Sequence, residues 1–296
     1  MKTKIVFLGS SAFSISSLDT IIQNNKQFEL VGVVTNKPSK KGRGMLLQKN
    51  IVHQFALERG LSSHNIFTPD KIDTDLINRV KLLDPDIVVV VSYGKILPKD
   101  FLQIAKIETI NLHPSSLPLF RGAAPIERTI ESGAENIDIC IIKVAEKLDA
   151  GDIILRSTFK IEKDHHATDI IPRISKIGSE MIIEAINNLR DKKATYQQQG
   201  DSYSYAKKIE KSELLINPQS DVNVIYNKIR AFNAIGCYFM QNNKRIKILK
   251  AKYEKLSVEQ SQIGTFTDNQ LFVSNGKIIP LSIQKEGGNI IYLNYK

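Results

Sequence analysis

Residues 86–94 read DIVVVVSYG. Five apolar residues, all β-branched, follow one another with no polar alternation, which fits a strand covered on both faces. A turn signal comes at once in Ser92-Tyr93-Gly94. Working outward, KIVFLG (4–9), LVGVVTN (30–36), TINLH (109–113), IDICIIKV (137–144) and GDIILRSTFKI (151–161) are further strand candidates. Between them, apolar residues fall at helical spacing through Ile15, Leu18, Ile21 and Ile22, then over 51–59 up to Gly60, and again from about 167 to Arg190. Strands alternating with helices predict an α/β unit with a Rossmann-like, mostly parallel sheet.

The pattern changes after Arg190. The stretch DKKATYQQQGDSYSYAKKIEKSE (191–213) is polar and poor in aliphatics, the composition of a linker with some aromatic anchors. A helix is expected over 222–232. Short strands then follow, separated by NN, DN, NG and GG dipeptides: RIKILKAKY (245–253), IGTFT (263–267), QLFVS (270–274), KIIPLSIQ (277–284) and NIIYLNY (289–295). Such spacing predicts a smaller OB-like β-barrel domain. The expected division is therefore 1–190, a linker at 191–207, and 208–296.

Apolar residues make up 42% and charged residues 24%, as in ordinary globular chains. Lys and Arg outnumber Asp and Glu by 41 to 31, and residues 201–296 hold 14 basic against 8 acidic side chains. A polyanionic partner fits this excess, and so does a generally lysine-rich proteome. Cys140 and Cys237 form no CxxC pair, and Cys140, within IDICII, reads as a buried reduced thiol. No window has the roughly 18 apolar residues of a membrane span. The start, MKTKIVFLGSSAF, reads as a first strand, since a signal peptide would need a longer apolar core and a cleavage site, so cytoplasm is expected, with a monomer as the default state. The turn GSSAF lacks the GxGxxG fingerprint, which disfavours a nicotinamide-dependent oxidoreductase.

The chemistry concentrates in INLHPSSLPLFRGAAPI (110–126) and VAEKLDAGDII (144–154). Asn111 and His113 alternate with Leu112, so in extended backbone they share a face. Pro114 and Pro118 then fix a rigid turn. Asp149 lies in a polar turn with Gly151, between apolar runs. An amide, an imidazole and a carboxylate suit acyl-type transfer, as oxyanion donor, proton carrier and orienting group or base. An Asn near a turn is also a common backbone cap, and an Asp beside Ala-Gly is also ordinary turn chemistry. The adjacent pair His165-His166 is expected to be a solvated turn, and no spaced ligand set for a metal appears.

NLHPSSLP and RGAAPI, with SYGKILP (92–98) before and LDAGDI (148–153) after, resemble the 10-formyltetrahydrofolate-dependent formyltransferase family. The resemblance implies Asn111, His113 and Asp149 as the catalytic set, 10-formyltetrahydrofolate as co-substrate, and no metal. It implies folate contacts from Ser115, Ser116, Leu117 and Pro118, beside a crevice at Tyr93, Gly94, Leu97 and Pro98.

Within the family, the chain most resembles members that act on methionyl-initiator tRNA. The segment TNKPSKKGRGMLLQK (35–49) resembles their basic loop, which implies tRNA contacts from Lys37, Lys40, Lys41, Arg43 and Lys49. IRAFNAIGCYFMQNNKRIKILKA (229–251) resembles the start of their C-terminal barrel, although Ala234-Ile235-Gly236 stands where an aromatic–proline pair is common. Other expectations stay open: transfer to glycinamide ribonucleotide or an amino sugar nucleotide, and hydrolysis of the same folate. A non-catalytic RNA-binding protein would be expected to have lost Asn111, His113 or Asp149.

Overall fold

The computed structural model describes residues 1–41 and 45–293. They fall into two compact units. The first comprises Met1–Gly122, Asp138–Thr158 and Pro172–Tyr205, and the second Ala123–Ile137, Phe159–Ile171 and Ala206–Lys296. The second unit thus draws on two pieces that precede residue 190.

Along the chain come β1 (Thr3–Gly9), α1 (Phe13–Gln23) and β2 (Phe28–Val34), then a short antiparallel pair, β3 (Ser39–Lys41) and β4 (Leu46–Gln48). α2 (Ile51–Glu58), β5 (Ile66–Phe67), α3 (Thr74–Lys81) and β6 (Ile87–Val91) follow. Next are α4 (Lys99–Leu102), β7 (Glu108–His113), β8 (Arg121–Gly122), α5 (Pro125–Glu131), β9 (Asn136–Lys143), β10 (Ile153–Lys160) and α6 (Ala167–Arg190). Two helices of the first unit, α2 and α3, start where a polar side chain offers an acceptor. Asn50 accepts from the Val52 amide at 2.9 Å and Asp73 from the Leu76 amide at 3.0 Å.

The main sheet has seven strands in the order β10-β9-β7-β6-β1-β2-β5. β1, β2, β5, β6 and β7 pair in parallel, and β9 lies antiparallel to β7. β6 sits at the centre with all five residues buried, as its unbroken apolar run predicts. The 172–190 part of α6 buries Ile174, Met181, Ile182, Ala185, Ile186 and Leu189, an apolar stripe at helical spacing. It lies close against β7, because a Cβ on Gly178 would stand 2.6 Å from a methyl of Leu112. One face of β7 is thereby closed off.

The second unit contains α5 and, further on, β11 (Tyr205–Ala206, its second residue), α7 (Val222–Ala231) and the strands β12 (Cys237–Gln241), β13 (Lys244–Lys255), β14 (Phe266–Thr267), β15 (Gln270–Val273), β16 (Gly276–Lys285) and β17 (Ile290–Tyr292). These six strands form a curled antiparallel half-barrel, in which register breaks near Ile248–Ala251 bend β13 against β16. β12 is an element the strand pattern missed. Its inward positions, Cys237 and Phe239, are only two, too short an alternation to stand out. Arg128 on α5 reaches Glu213 at 2.9 Å and lies over the Phe232 ring.

The expected solvated turn at His165-His166 is corrected for His166, which is 3% exposed. Its Nδ1 lies 2.9 Å from the Asp164 carbonyl, and its Nε2 accepts from the Ala251 amide at 3.4 Å. These bonds describe a neutral ring, which adjacency in sequence could not reveal. Burial lowers its pKa from 6.5, opposed by the Asp164 carbonyl and Asp169 and assisted by Lys250 and Arg230. Below pH 6.5 the unfolded imidazole gains a proton that the folded one takes up only at lower pH. Stability therefore falls as pH drops through that window, by at most ~1.4 kcal/mol per pH unit. Urea unfolding at pH 7.5 and 5.5 should show this slope in the native chain and a shallower one in His166→Gln.

Candidate active site

β7 ends at His113, and its register sets Asn111 opposite Ile142 and His113 opposite Cys140 of β9. Asn111 and His113 share the face that α6 leaves uncovered, since Leu112 between them points to the helix. The chain leaving β9 turns over that face and brings Asp149 to it. Asn111 Nδ2 donates to Asp149 Oδ1 at 3.2 Å, and the Gly122 amide donates to Oδ2 at 2.8 Å. His113 Nδ1 stands 3.5 Å from Oδ2. The three side chains read from the sequence therefore meet at one carboxylate.

The segment after β7 folds back on itself to complete the site. Ser115 and Leu117 amides bond the His113 and Ser115 carbonyls at 3.1 and 2.8 Å, and Ser115 Oγ donates to Leu119 O at 2.8 Å. Arg156 Nη2 anchors the turn through Leu117 O at 2.8 Å. The return places Phe120 O 3.0 Å from His113 Nε2. A carbonyl only accepts, so Nε2 carries a proton. A further proton on Nδ1 turns its approach to Asp149 into an ion pair.

Asp149 adopts a left-handed φ of 49°, a conformation Asp tolerates better than most residues. Its turn lies close to β9, because a Cβ on Gly151 would fall 1.8 Å from the Lys143 carbonyl oxygen. The side chains of His113 and Asp149 are 6% and 11% exposed, so the carboxylate is shielded yet reachable. It has an amide, an imidazole and a main-chain donor around it. Such a group can take a proton from a nucleophile while Asn111 turns its second N–H to a developing oxyanion.

The other sequence candidates are placed as follows. Tyr93 is half-buried and packs, with Val144, against the cluster that holds Leu97 and Phe101. Its hydroxyl is buried with no hydrogen-bond partner among the described residues, and burial pushes its pKa up to about 12. Gly94 is exposed, and Pro98 precedes α4. Leu97 is turned into the core.

Ser115 and Leu117 are also turned inward, Leu117 packing on Cys140, Ile142 and Ile153. Ser116 and Pro118 are partly exposed, and Ser116 Oγ accepts from the Asp138 amide at 3.2 Å. Cys140 is buried as expected, its thiol pushed up to about 11 by burial.

In the basic segment, Lys37 pairs with Asp70, Lys40 is exposed on β3, Lys41 ends β3, and Lys49 is exposed beyond β4. Arg43 lies outside the described residues. The sequence suggested a loop here. The β3–β4 pair arises from mutual pairing of two three-residue strands, for which the sequence has no periodic signal.

Among the described residues, no group of three His, Cys, Asp or Glu side chains could hold a metal ion. No described helix is long and apolar enough to cross a membrane. A cavity of about 240 Å³ lined by Lys2, Ile21, Phe28 and Arg59 lies at the amino ends of β1 and β2 and shares no residue with the Asp149 cluster. Sequence reasoning missed Phe120, Gly122 and Gln199. Gln199 Nε2 donates to Asp149 O at 2.9 Å and to Gly151 O at 2.7 Å, from a polar stretch with no distinguishing pattern.

Residues 3–186 match the formyl transferase family, and residues 208–294 match the formyl transferase C-terminal domain. The chain belongs to the formyl transferase family. A relative from Orientia tsutsugamushi (strain Boryong), named methionyl-tRNA formyltransferase, is 38% identical over 251 residues, covering 84% of this chain and 80% of its own. Among solved structures, methionyl-tRNA formyltransferase from Clostridium thermocellum superposes with a TM-score of 0.60 at 20% identity, over 85% of this chain and 94% of that one. WlaRD, a sugar 3N-formyl transferase solved in the presence of dTDP and 5-N-formyl-THF, gives 0.67 at 21% identity, over 98% and 100%. At these identities the structural likenesses speak for the fold.

In a formyl transferase built this way, the Asp149 turn has no room for a side chain at position 151. Gly151→Ala should push the turn off β9 and lower kcat about 100-fold, the cost of an ångström-scale misplacement. Steady-state kinetics beside a thermal melt would check this, with the rate falling by far more than any loss of folded protein explains.

Proposed function

We propose that this chain transfers the formyl group of 10-formyltetrahydrofolate to the α-amino group of methionyl-tRNA, the initiator being its acceptor in translation initiation. The meeting of Asn111, His113 and Gly122 on the Asp149 carboxylate carries this reading, in a family member whose relatives bear that name. The reading assigns the chemistry to 1–190, the connection to 191–207 and a tRNA-binding domain to 208–296, with the basic segment of the first domain also meeting the tRNA, within a monomer acting in the cytoplasm.

The residues present fit a folate. Tyr93, with its unpartnered hydroxyl, and Val144 line one apolar cluster at the start of the Asp149 loop, suited to a flat ring with few polar contacts. Ser116 and Pro118 supply the exposed part of the turn, while Ser115 and Leu117 act by shaping it. The bound folate supplies a formyl carbon activated by its nitrogen.

An ordinary α-amine titrates at ~7.7–8.0. Esterification lowers this, so neutral amine is present near pH 7. Asp149 accepts the proton that the amine loses as it bonds to the formyl carbon. Asn111 donates to the oxygen that gains charge. His113 has its Nε2 held by Phe120 O and its Nδ1 turned to Asp149. Asp149 then passes that proton to His113 Nδ1, 3.5 Å away, while Nε2, exchanged from Phe120 O, gives its own proton to the folate nitrogen as the formyl carbon–nitrogen bond breaks.

Transfer assays with methionyl-tRNA, uncharged tRNA, glycinamide ribonucleotide, an amino sugar nucleotide and water should give product with methionyl-tRNA alone. Transfer to a small amine or to water would replace the acceptor assignment. Asn111→Ala should lose about 100- to 1,000-fold in kcat with folding unchanged. Asp149→Asn should lose at least about 100-fold in kcat, with the folate KM little changed.

The exposed Lys40 and Lys49 are proposed to contact tRNA phosphates. Replacing both with alanine should weaken tRNA binding and reduce the slope of log K against log salt by roughly 0.7–0.9 per lost contact. An unchanged slope in filter-binding titrations would remove them from the interface.

A further inference from the structure

Asp149 is fastened at its main chain as well as at its carboxylate. Both N–H groups of the Gln199 amide are engaged, one by Asp149 O at 2.9 Å and one by Gly151 O at 2.7 Å. The Gln199 oxygen is taken in turn by Arg121, whose Nε and Nη2 donate to it at 3.1 and 2.7 Å. Arg121 is 7% exposed, and its guanidinium lies 4.8 Å over the Tyr203 ring. The next residue, Gly122, donates its amide to the carboxylate itself at 2.8 Å. One dipeptide, Arg121-Gly122, thus reaches Asp149 from two directions.

The strip that carries Gln199 is itself tied to the site. Arg121 N donates to Ser204 O, and Phe120 N to Ser204 Oγ, both at 2.9 Å. Residues 199–204 run beside Phe120–Gly122, where composition suggests only a linker. Every hydrogen-bonding atom of the Gln199 amide head has a protein partner, and two of those partners flank Ala150 at the tip of the turn. A left-handed Asp149 needs such support, since its backbone conformation is a costly one for a residue with a Cβ.

We propose that Gln199, held by Arg121, is a positioning residue that sets Asp149 for proton transfer, so the 191–207 segment takes part in the formyl transfer. This rests on the catalytic reading of Asp149 given above. Gln199 touches no reacting atom. Its contribution is realised only while Asp149 has a carboxylate to aim.

The test is a double-mutant cycle on the full chain with methionyl-tRNA and 10-formyltetrahydrofolate. Gln199→Glu keeps the bond to Arg121 but sets an oxygen against two carbonyl oxygens. Gln199→Met keeps the length and removes every polar contact. Both should lower kcat on the order of 10- to 100-fold, with KM for the folate little changed.

In an Asp149→Asn background the same substitutions should cost little further, because the residue they position no longer acts as a base. Equal losses in both backgrounds, or a change in melting temperature without a change in kcat, would overturn the positioning role while leaving Asp149 catalytic. An Asp149→Asn chain with native turnover would overturn the proposal at its foundation, by showing that Asp149 is not the base.

Discussion

A carboxylate withdrawn from water must be repaid with donors, and the site is organised around that requirement. Leaving an ionised oxygen pair unpartnered in a shielded position costs several kcal/mol. Asp149 avoids this through an Asn111 N–H and the Gly122 amide, with the His113 ring beside them. Each donor constrains a different piece of chain. Asn111 and His113 require β7 to present alternate residues on one face, and Gly122 requires the turn after His113 to return. The β9 end must also lie low enough for the turn at 149 to settle over the sheet, which only glycine at 151 permits.

The sheet makes those positions firm. β7 lies between β6 and β9, paired in parallel on one side and antiparallel on the other. Its opposite face is closed by α6, which approaches closely because residue 178 has no side chain. A strand fixed on three sides cannot shift register without turning Leu112 into the site and Asn111 into the helix. The rigidity that catalysis asks of Asn111 and His113 therefore comes from ordinary core packing.

Much of this was legible in the sequence because periodicity reports burial. The unbroken run 87–91 located the central strand, the helix from Ala167 to Arg190 matched its apolar stripe, and the alternation of Asn111 and His113 marked their shared face. What escaped lacks such a signal. The β3–β4 pair and β12 are too short for alternation to register, and each depends on a partner strand. His166 looks like a surface residue in sequence, and only its bonds to Asp164 and Ala251 show the ring to be interior. Phe120 enters the site by its carbonyl, and any residue would have supplied that atom. Gln199 sits in a polar stretch where one glutamine looks like the next.

The interleaving of the two units bears on how the chain is made. Arg128 on α5 finds its partner Glu213 at a separation of 85 residues, and α5 belongs to the unit built mainly from residues beyond 206. A ribosome needs on the order of 10 s to add that many residues at the slower rates of synthesis. For that interval the buried face of α5, with Ile126 and Ile130, has left the ribosome without the α7 surface it will cover. Apolar surface left open for that interval is prone to non-native association, so the order of elements sets a period of exposure that the finished molecule no longer shows.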